Sequence, residues 1–407
     1  MATPRILLAG GGTGGHLYPA LNIAKALRSA DPSVELLFIG SERGLEARVL
    51  PETDYPYRLL PLQPLYRQRV WRNWRLVAAM PAVAAGVRRV FRNFDPHLVI
   101  GSGGYVSGPA VAWGKWRGCR TALQEQNAQP GLVTRLLSSR VDHIHLGYPE
   151  AEALLRVSSG TQVFAFGNPV SAPALLTGDR PFEWPEGRVL LVVGGSQGAK
   201  GLNDRLLADL TWAASLREAE GTSAVEAQSG PCARQGPGEA TPAASAFPSE
   251  LWPSDLSLVW IAGPAHAPEI SRQVRELPWA TRIHVVPFVE ELGAQLGDVS
   301  LAVARSGAMF IAELCAAAVP AVFVPLPTAA GGHQTSNAKA MVKAGAAEMR
   351  EQGSLEPGEL WRLCLAVLGD EARLRRMGES ANARARPDAA ERIAEALLEL
   401  VKSGRNE

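Results

Sequence analysis

Residues 6–27 read ILLAGGGTGGHLYPALNIAKAL, an apolar run followed by a glycine-rich loop and a second apolar pattern. The first run is typical of a buried strand, and apolar residues every three or four positions after the loop predict a helix. The same order of strand, glycine loop and helix returns at residues 188–207, which read RVLLVVGGSQGAKGLNDRLL. Two such units predict an α/β protein with two doubly wound, Rossmann-like domains that face a cleft.

The chain has 407 residues, enough for two domains of ordinary size. We expect residues 1–166, completed by a returning helix in residues 386–407, to form an N-terminal domain, and residues 167–385 a C-terminal one. Residues 218–248 are rich in Ala, Gly, Pro, Ser and Thr and lack an apolar period. We interpret them as a mobile insertion in the second domain.

The composition excludes several classes of protein. Apolar residues make up 46% of the chain, which excludes disorder along its whole length. The four cysteines form no C-x-x-C pair, so neither a zinc site nor a disulfide framework is indicated, and a reducing cytoplasm fits best. The start of the chain lacks the pattern of a secretory signal.

Charge is distributed unevenly although the net charge is +1. Residues 1–166 hold 19 Lys and Arg against 11 Asp and Glu, a difference of +8, and the remainder holds 22 against 29, a difference of −7. Tyr55 to Phe94 contain eight arginines and no acid. This basic domain indicates an anionic partner.

The segment from Tyr66 to Met80 mixes arginines with aromatic and aliphatic residues, which suits an anionic membrane surface. Its candidate contacts are Arg69, Trp71, Arg72, Trp74 and Arg75. Nucleic acid is disfavoured as a partner, because the net charge of the chain is near zero. An ordinary amphipathic helix with a solvated basic face is the alternative interpretation.

The first glycine loop allows two functions. It satisfies G-x-G-x-x-G, and Glu42 follows the next strand where the ribose of a dinucleotide is held, so a nicotinamide oxidoreductase is a candidate. His16 sits at the start of the helix, where the dipole favours a neutral imidazole that can act as a base. The alternative for His16 is a hydrogen bond to backbone at a helix start.

The second loop and a buried acid indicate a nucleotide site. Ser196 and the amides around it are predicted at a helix start, which suits a diphosphate, and a purely structural turn is the alternative. Glu313 lies in an apolar segment, where a ribose diol would satisfy its carboxylate and a salt bridge to Arg305 is the alternative. The chain contains no D-x-D motif, so no metal cofactor is required, although Mg²⁺ stays a candidate.

Seven motifs in order resemble one family, the peptidoglycan glycosyltransferases that add N-acetylglucosamine to lipid I to make lipid II. The motifs are Gly11-Gly12-Thr13-Gly14-Gly15-His16, Gly103-Gly104-Tyr105-Val106-Ser107-Gly108-Pro109, Glu125-Gln126-Asn127, Gly167-Asn168-Pro169-Val170, Gly194-Gly195-Ser196-Gln197-Gly198-Ala199, Arg305-Ser306-Gly307-Ala308 and His333-Gln334 with Asn337. The resemblance implies an inverting, two-domain glycosyltransferase of the GT-B type.

The resemblance also implies roles for individual residues. His16 would be the general base for the C4 hydroxyl of N-acetylmuramic acid, with Glu125 as the rival base. Tyr105 is assigned to the acceptor and membrane contacts, together with Arg69, Trp71, Arg72, Trp74 and Arg75. The residues assigned to the donor are Thr13, Gly14, Gly15, Asn127, Ser196, Gln197, Phe288, Val289, Arg305, Ala308, Met309, Glu313 and Gln334, of which Thr13 to Gly15 would also face the acceptor pyrophosphate.

The chain departs from the family at three places. Gln124 stands where the family usually has His, Ser171 stands where it usually has Arg, and the family's His-Gln segment after a C-domain strand is missing. Trp260 to Gly263 fit the place of that segment because a strand is predicted before them, and Ala227 to Gly230 are the poorer alternative.

The implied partners are UDP-N-acetylglucosamine, undecaprenyl-pyrophosphoryl-N-acetylmuramyl-pentapeptide and the anionic inner leaflet of the cell membrane, without nucleic acid. The expected location is the cytoplasmic face of the bacterial cell membrane, as a peripheral protein. Two alternatives stay open, a nicotinamide oxidoreductase and a catalytically silent, membrane-binding relative.

Overall fold

Two parallel β-sheets organise the chain. The computed structural model describes residues 3–63, 70–170, 183–195, 198–229 and 251–404. The first sheet has seven strands in the order β3-β2-β1-β4-β5-β6-β7 and the second has six in the order β10-β9-β8-β11-β12-β13. All strand pairs in both sheets are parallel, which requires a crossover between neighbours and accounts for the alternation of strands and helices.

The N-terminal sheet comprises β1 (Arg5–Ala9), β2 (Glu35–Ser41), β3 (Tyr57–Leu60), β4 (Leu98–Gly101), β5 (Arg120–Glu125), β6 (His143–Leu146) and β7 (Gln162–Phe164). Its helices are α1 (Gly14–Ala30), α2 (Glu46–Val49), α3 (Trp74–Phe94), α4 (Gly104–Trp116) and α5 (Leu132–Leu137). Short 3₁₀ segments at Leu50–Glu52, Val70–Asn73 and Pro149–Leu154 join them.

The C-terminal sheet comprises β8 (Arg188–Val193), β9 (Leu256–Ile261), β10 (Ile283–Val286), β11 (Leu301–Ala304), β12 (Ala321–Phe323) and β13 (Ala347–Met349). Its helices are α6 (Lys200–Ser229), α7 (Ala267–Val274), α8 (Ala308–Ala316), α9 (His333–Lys343), α10 (Glu359–Leu368) and α11 (Glu371–Ala383). The last helix, α12 (Ala389–Ser403), follows them in the chain.

The last helix belongs to the N-terminal core although it follows the C-terminal sheet. Ile393 and Leu397 of α12 are fully buried in the same cluster as Ile23 and Leu27 of α1. The apolar stripe along α12 packs beside α1 in one cluster with the sheet, and α12 also contacts β5. The opposite face of that sheet is covered by α3 and α4.

The boundary of the supposed insertion requires a correction. Residues 218–229 continue α6 as helix and are not part of an irregular loop. Alanine and glutamate dominate the segment from Glu218 to Ala227, and both have high helix propensity, so the helix continues without an apolar period. The remainder of the segment, residues 230–250, lies outside the described residues.

Both glycine loops lie at the carboxyl ends of strands where the strand order reverses, between β1 and β4 and between β8 and β11. Such switch points open a crevice that receives ligands in α/β sheets. The second loop needs glycine: Gly198 has φ +74°, and a Cβ there would lie 2.1 Å from the carbonyl oxygen of Ala262. A side chain at this position would therefore force the loop away from the sheet.

In the part of the chain that the structure describes, no helix has the length and apolarity needed to cross a membrane.

Candidate active site

His16 lies in the first turn of α1, with its ring against the loop that follows β4. Its Nδ1 lies 3.0 Å from Oε1 of Gln126, and Ser102 donates a hydrogen bond to its backbone oxygen at 2.7 Å. Burial lowers the pKa of His16, and the nearby His333 adds to that effect, while Glu125 and Gln126 oppose it. The imidazole is therefore neutral at pH 7, the state that a general base requires.

The carboxylate of Glu125 is occupied by its own loop. One oxygen accepts from the amide and the side chain of Asn127, both at 3.1 Å. The other accepts from the amide of Gly131 at 2.8 Å and from the hydroxyl of Thr134 at 2.6 Å. Four donors already fill its acceptor positions, so this geometry favours Glu125 as a residue that holds the loop after β5.

Asn337 of α9 joins the two domains at the floor of the cleft. Its side-chain oxygen accepts from the amide of Ala128 at 2.8 Å, and its nitrogen donates to Oδ1 of Asn127 at 3.1 Å and to the carbonyl of Ser306 at 3.2 Å. Both ends of the Asn127 amide are thus bonded to protein. In this arrangement a sugar hydroxyl would have to compete with Asn337 for that side chain.

Arg305 is a buried cation at the carboxyl end of β11. Its side chain donates to the carbonyl oxygens of Val324 and Pro325 and, at 2.6 Å, to Oε1 of Gln352. No carboxylate among the described residues pairs with it, and burial lowers its pKa. A buried guanidinium without an acidic partner, three residues before α8 begins, is suited to an anionic ligand.

Glu313 lies on α8, and its side-chain carboxyl bonds to no described residue. Its carboxyl packs against Gly293, where a Cβ would lie 2.8 Å from the carboxyl carbon. Burial raises its pKa to about 7. The alternative of a salt bridge to Arg305 is wrong, because the Arg305 guanidinium is bonded to the carbonyls after β12 and to Gln352. The unmet carboxyl suits a ligand that brings hydroxyl donors.

The other donor residues surround the start of α8. Ala308 opens that helix, with Met309 beside it, and Phe288 after β10 leaves half of its side chain exposed, as a stacking platform requires. Val289 is buried in the core, so only its backbone could meet a base. Gln334 accepts from the amide of Leu326 at 2.8 Å, which fixes the loop after β12. Ser196, Gln197 and Ser171 lie outside the described residues.

The acceptor side of the cleft is shaped by an acid that the sequence did not indicate. Glu46 is fully buried and accepts from the amide of Gly12 at 2.8 Å and from that of Ser41 at 2.7 Å. It supports the loop that carries Thr13, Gly14 and Gly15, whose amides open α1. Because the loop packs directly on the Glu46 carboxylate, glycine is needed at Gly11 and Gly44. Glu42, the acid considered for a dinucleotide ribose, is exposed.

Tyr105 completes the acceptor side of the loop. It lies on α4 with its ring against Gly12, where an added Cβ would be 2.9 Å from Cε1. The side chain is half-buried. Tyr105 therefore forms a wall of the crevice next to the glycine loop, and it does not lie on the outer surface with the arginine-rich segment.

The arginine-rich segment exposes its apolar side chains. Trp71, Trp74, Val77 and Met80 are each more than half exposed, and the Arg75 guanidinium lies 5.7 Å from the Trp74 ring centroid. Arg69 lies outside the described residues, and of Arg72 only the backbone is described. Trp116 at the end of α4, which was not among the residues expected at the membrane, is 72% exposed between Lys115 and Arg117. The same mixture of aromatic and basic residues could have identified it.

Metal-binding side chains and cavities are the remaining features that concern ligands. Within the described ranges, no group of three or more His, Cys, Asp or Glu side chains is arranged to hold a metal ion. A cavity of about 220 Å³ lies between the domains, lined by Tyr148, Asn168 and Cys315 among others. None of the expected site residues lines this cavity.

The two parallel α/β domains meet at their switch points. One carries a neutral histidine, and the other carries a helix start that suits a phosphate group. This arrangement defines a glycosyltransferase of the GT-B class. Solved structures agree on the fold. The crystal structure of Acinetobacter baumannii MurG has a TM-score of 0.70 at 24% identity, covering 97% of this chain and 99% of that chain. The calicheamicin glycosyltransferase CalG4 has a TM-score of 0.63 at 14% identity, covering 98% and 99%.

Sequence comparison identifies the family. The glycosyltransferase family 28 N-terminal domain matches residues 6–146 and its C-terminal domain matches residues 189–393. A protein of Moorella thermoacetica named UDP-N-acetylglucosamine--N-acetylmuramyl-(pentapeptide) pyrophosphoryl-undecaprenol N-acetylglucosamine transferase is 33% identical over 98% of this chain and 100% of its own length. A protein of the same name from Listeria monocytogenes is 30% identical with the same coverage. The chain belongs to this family of N-acetylglucosaminyltransferases.

Proposed function

We propose that this protein transfers N-acetylglucosamine from UDP-N-acetylglucosamine to the C4 hydroxyl of N-acetylmuramic acid in lipid I. The product is lipid II, the precursor for peptidoglycan synthesis. The observation that carries the proposal is the pairing across one cleft of a neutral His16 with the start of α8, where Arg305 lacks an acidic partner. The two helices that carry these sites, α1 and α8, contact each other.

The transfer is a single displacement with inversion at the anomeric carbon. His16 takes the proton of the C4 hydroxyl while the oxygen of that hydroxyl forms a bond to C1 of N-acetylglucosamine. The bond between C1 and the β-phosphate oxygen breaks, and its electron pair leaves with UDP. The amides at the start of α8 and the Arg305 guanidinium stabilise the charge that develops on the diphosphate. In this proposal no metal cofactor is needed to stabilise the negative charge on the departing UDP, although Mg²⁺ can still assist that stabilisation.

The donor residues bind UDP in the C-terminal domain. Phe288 stacks on uracil, Glu313 accepts from the ribose hydroxyls and Gln334 meets the sugar. Their support is the exposed ring of Phe288 and the unmet carboxyl of Glu313. Thr13 to Gly15 face the pyrophosphate of the lipid, supported by the amides that open α1.

The test is turnover of a lipid I analogue with UDP-N-acetylglucosamine, followed as lipid II and UDP. Thermal stabilisation by UDP-N-acetylglucosamine but not by NADH separates this function from a nicotinamide oxidoreductase. A protein that binds the donor and never turns over lipid I would be a silent relative, and the proposal would fail. A Glu42→Gln protein is the matched control, because Glu42 is exposed and should retain full activity.

We also propose that the enzyme acts as a peripheral protein on the cytoplasmic face of the cell membrane, bound to anionic lipid. Support comes from exposed Trp71 and Trp74 beside Arg75 in a segment without acids. Replacing Arg69, Arg72 and Arg75 with Gln should weaken binding to anionic vesicles by roughly 1 kcal/mol per residue, and salt should weaken wild-type binding. Equal flotation of both proteins would contradict this location.

A further inference from the structure

A chain of side-chain amides connects His16 to the opposite domain. Asn168, in the turn after β7, bonds to Gln124 at 3.3 Å, and Gln124 makes a short contact with Gln126, which bonds to Nδ1 of His16. Gln124 and Gln126 are buried, and so is Asn168. Each amide therefore has to match donors with acceptors, because water is excluded from them.

Backbone carbonyls fix the direction of this chain. A carbonyl oxygen can only accept, so the amide atom of Asn168 that lies 3.0 Å from the oxygen of Gln126 and 3.4 Å from that of Ala308 must be the nitrogen. The other atom of the Asn168 amide is then an oxygen, and it receives the nitrogen of Gln124. The side-chain oxygen of Gln124 is consequently directed at Gln126.

The orientation of the Gln126 amide is fixed by its acceptor neighbours in the same way. Its amide nitrogen donates to the carbonyl oxygen of Ser102 at 2.7 Å and to the side-chain oxygen of Gln124. Its own oxygen is then the atom at 3.0 Å from Nδ1 of His16. An acceptor at that place requires a proton on Nδ1, because two facing lone pairs would repel each other.

We propose that Gln126, held by Gln124 and Asn168, keeps His16 in the tautomer with its proton on Nδ1, so that Nε2 is the nitrogen that accepts a proton. The three amides are positioning residues that act through His16. Nε2 bonds to no residue that the structure describes, which leaves it available to the acceptor hydroxyl. The catalytic use of this tautomer rests on the proposed function, whereas the tautomer itself is a property of the protein without substrate.

The relay also gives Gln124 a role. This position departs from the histidine usual in the resembling family, and a glutamine there carries one donor for Asn168 and one acceptor for Gln126. The last acceptor in the relay, the carbonyl of Ala308, belongs to the first residue of α8 in the C-terminal domain. The helix that faces the leaving group thus takes part in orienting the base.

Nitrogen-15 spectra of the histidine rings test the tautomer directly. The chain has seven histidines, and a His16→Gln protein assigns the signal of His16. At a pH above the His16 pKa, we expect Nδ1 protonated and Nε2 unprotonated in the wild type. In Gln126→Met the Nε2-protonated form should appear, and turnover should fall roughly 10- to 100-fold with the donor KM unchanged.

Gln126→Glu is the matched control. One carboxyl oxygen still accepts from Nδ1, whereas the other faces the carbonyl of Ser102 and the side-chain oxygen of Gln124, so we expect the carboxyl to hold a proton there and the wild-type tautomer to persist. A purely structural role for Gln126 would slow both variants equally and would not change the tautomer. If Gln126→Met fails to fold, the His16 tautomer in the spectra of the wild type and of Gln126→Glu tests the proposal.

A wild-type His16 with its proton on Nε2 overturns the proposal. So does a Gln126→Met protein that keeps both the wild-type tautomer and wild-type turnover. The spectra are recorded on the protein without substrate, so the proposed function fails separately. A protein that shows the expected tautomer but no lipid I turnover supports the relay and contradicts the glycosyl transfer.

Discussion

The two sides of the cleft differ in how their buried polar groups are satisfied. On the N-terminal side, Glu125 has four donors and the relay from Asn168 to His16 is complete. On the C-terminal side, Arg305 has no acidic partner among the described residues and Glu313 has no partner at all there. The side that carries His16 is therefore organised before any ligand arrives, whereas the side that carries Arg305 and Glu313 has charged groups that a ligand could balance.

Removing the base should have the largest effect. His16→Ala should lose about 10²–10⁴-fold in turnover, the usual contribution of a positioned general base, while donor affinity changes little. The wild-type rate should rise with pH and level off above a pKa below 6.5, because burial lowers the pKa of His16 and only the neutral ring accepts a proton. Steady-state kinetics and donor titration calorimetry measure both quantities.

The rival base provides the contrast. Glu125→Gln breaks the four-donor pattern of one loop and should lower stability more than it lowers turnover per folded molecule. Suppose His16→Ala kept more than about a tenth of wild-type turnover, while Glu125→Gln bound donor and did no chemistry. The role of base would then pass to Glu125, and the distinction between the two sides would lose its main support.

A smaller effect is expected at Glu313, where replacing the carboxyl should weaken donor binding but increase stability above pH 7. Glu313→Gln should weaken UDP-N-acetylglucosamine binding by ~1–3 kcal/mol, the cost of a lost charged hydrogen bond. In the wild type the folded pKa is about 7 against an ordinary 4.5, so ionisation costs stability as pH rises from 4.5 to 7. Above pH 7 the variant should therefore be more stable than wild type, by on the order of 1–3 kcal/mol.

Calorimetry and thermal melts at pH 4.5 and pH 8 check the Glu313 prediction. The stability difference should be small at the lower pH, because the folded carboxyl keeps its proton there and the unfolded one is only half ionised. Donor binding near pH 6.5 should release a proton, which buffers of different ionisation enthalpy would detect. A variant with unchanged affinity and unchanged stability would mean that Glu313 is not an unmet charge.

The smallest effect concerns the segment after α6. Replacing residues 231–249 with a short Gly-Ser linker should leave donor affinity unchanged, because the free-energy cost of closing a loop depends only weakly on its length. Both flanks are anchored in one core, by Leu210 of α6 and by Trp252. Titration with UDP-N-acetylglucosamine checks it, and a large loss of affinity would show that the segment belongs to the donor side.

Local patterns in the sequence were sufficient for the fold. The strand–loop–helix units at β1 and β8 were predicted because apolar runs and glycine loops are short-range signals. The returning helix expected in residues 386–407 is α12, whose apolar residues are buried together with those of α1. The continuation of α6 to Ser229 was missed because the expectation relied on apolar period and neglected helix propensity.

The site depends on contacts that no local pattern reports. Glu46 meets the amide of Gly12 from 34 positions away, and Asn337 meets Ala128 from 209 positions away. The partners come together only because parallel sheets bring the carboxyl ends of distant strands to one edge. The sequence could therefore mark His16, Arg305 and Glu313 as candidates, but not which of them would already be satisfied by the protein.

The position of α12 has a consequence for synthesis on the ribosome. The N-terminal sheet ends at Phe164, yet the apolar face of α1 is covered only when α12 has emerged, ending at Ser403. At about 5–20 residues per second, the ~240 residues between them take on the order of 10–50 s to translate. For that time the nascent N-terminal domain presents an apolar groove, a natural target for chaperones, and it closes only after the donor domain has been made.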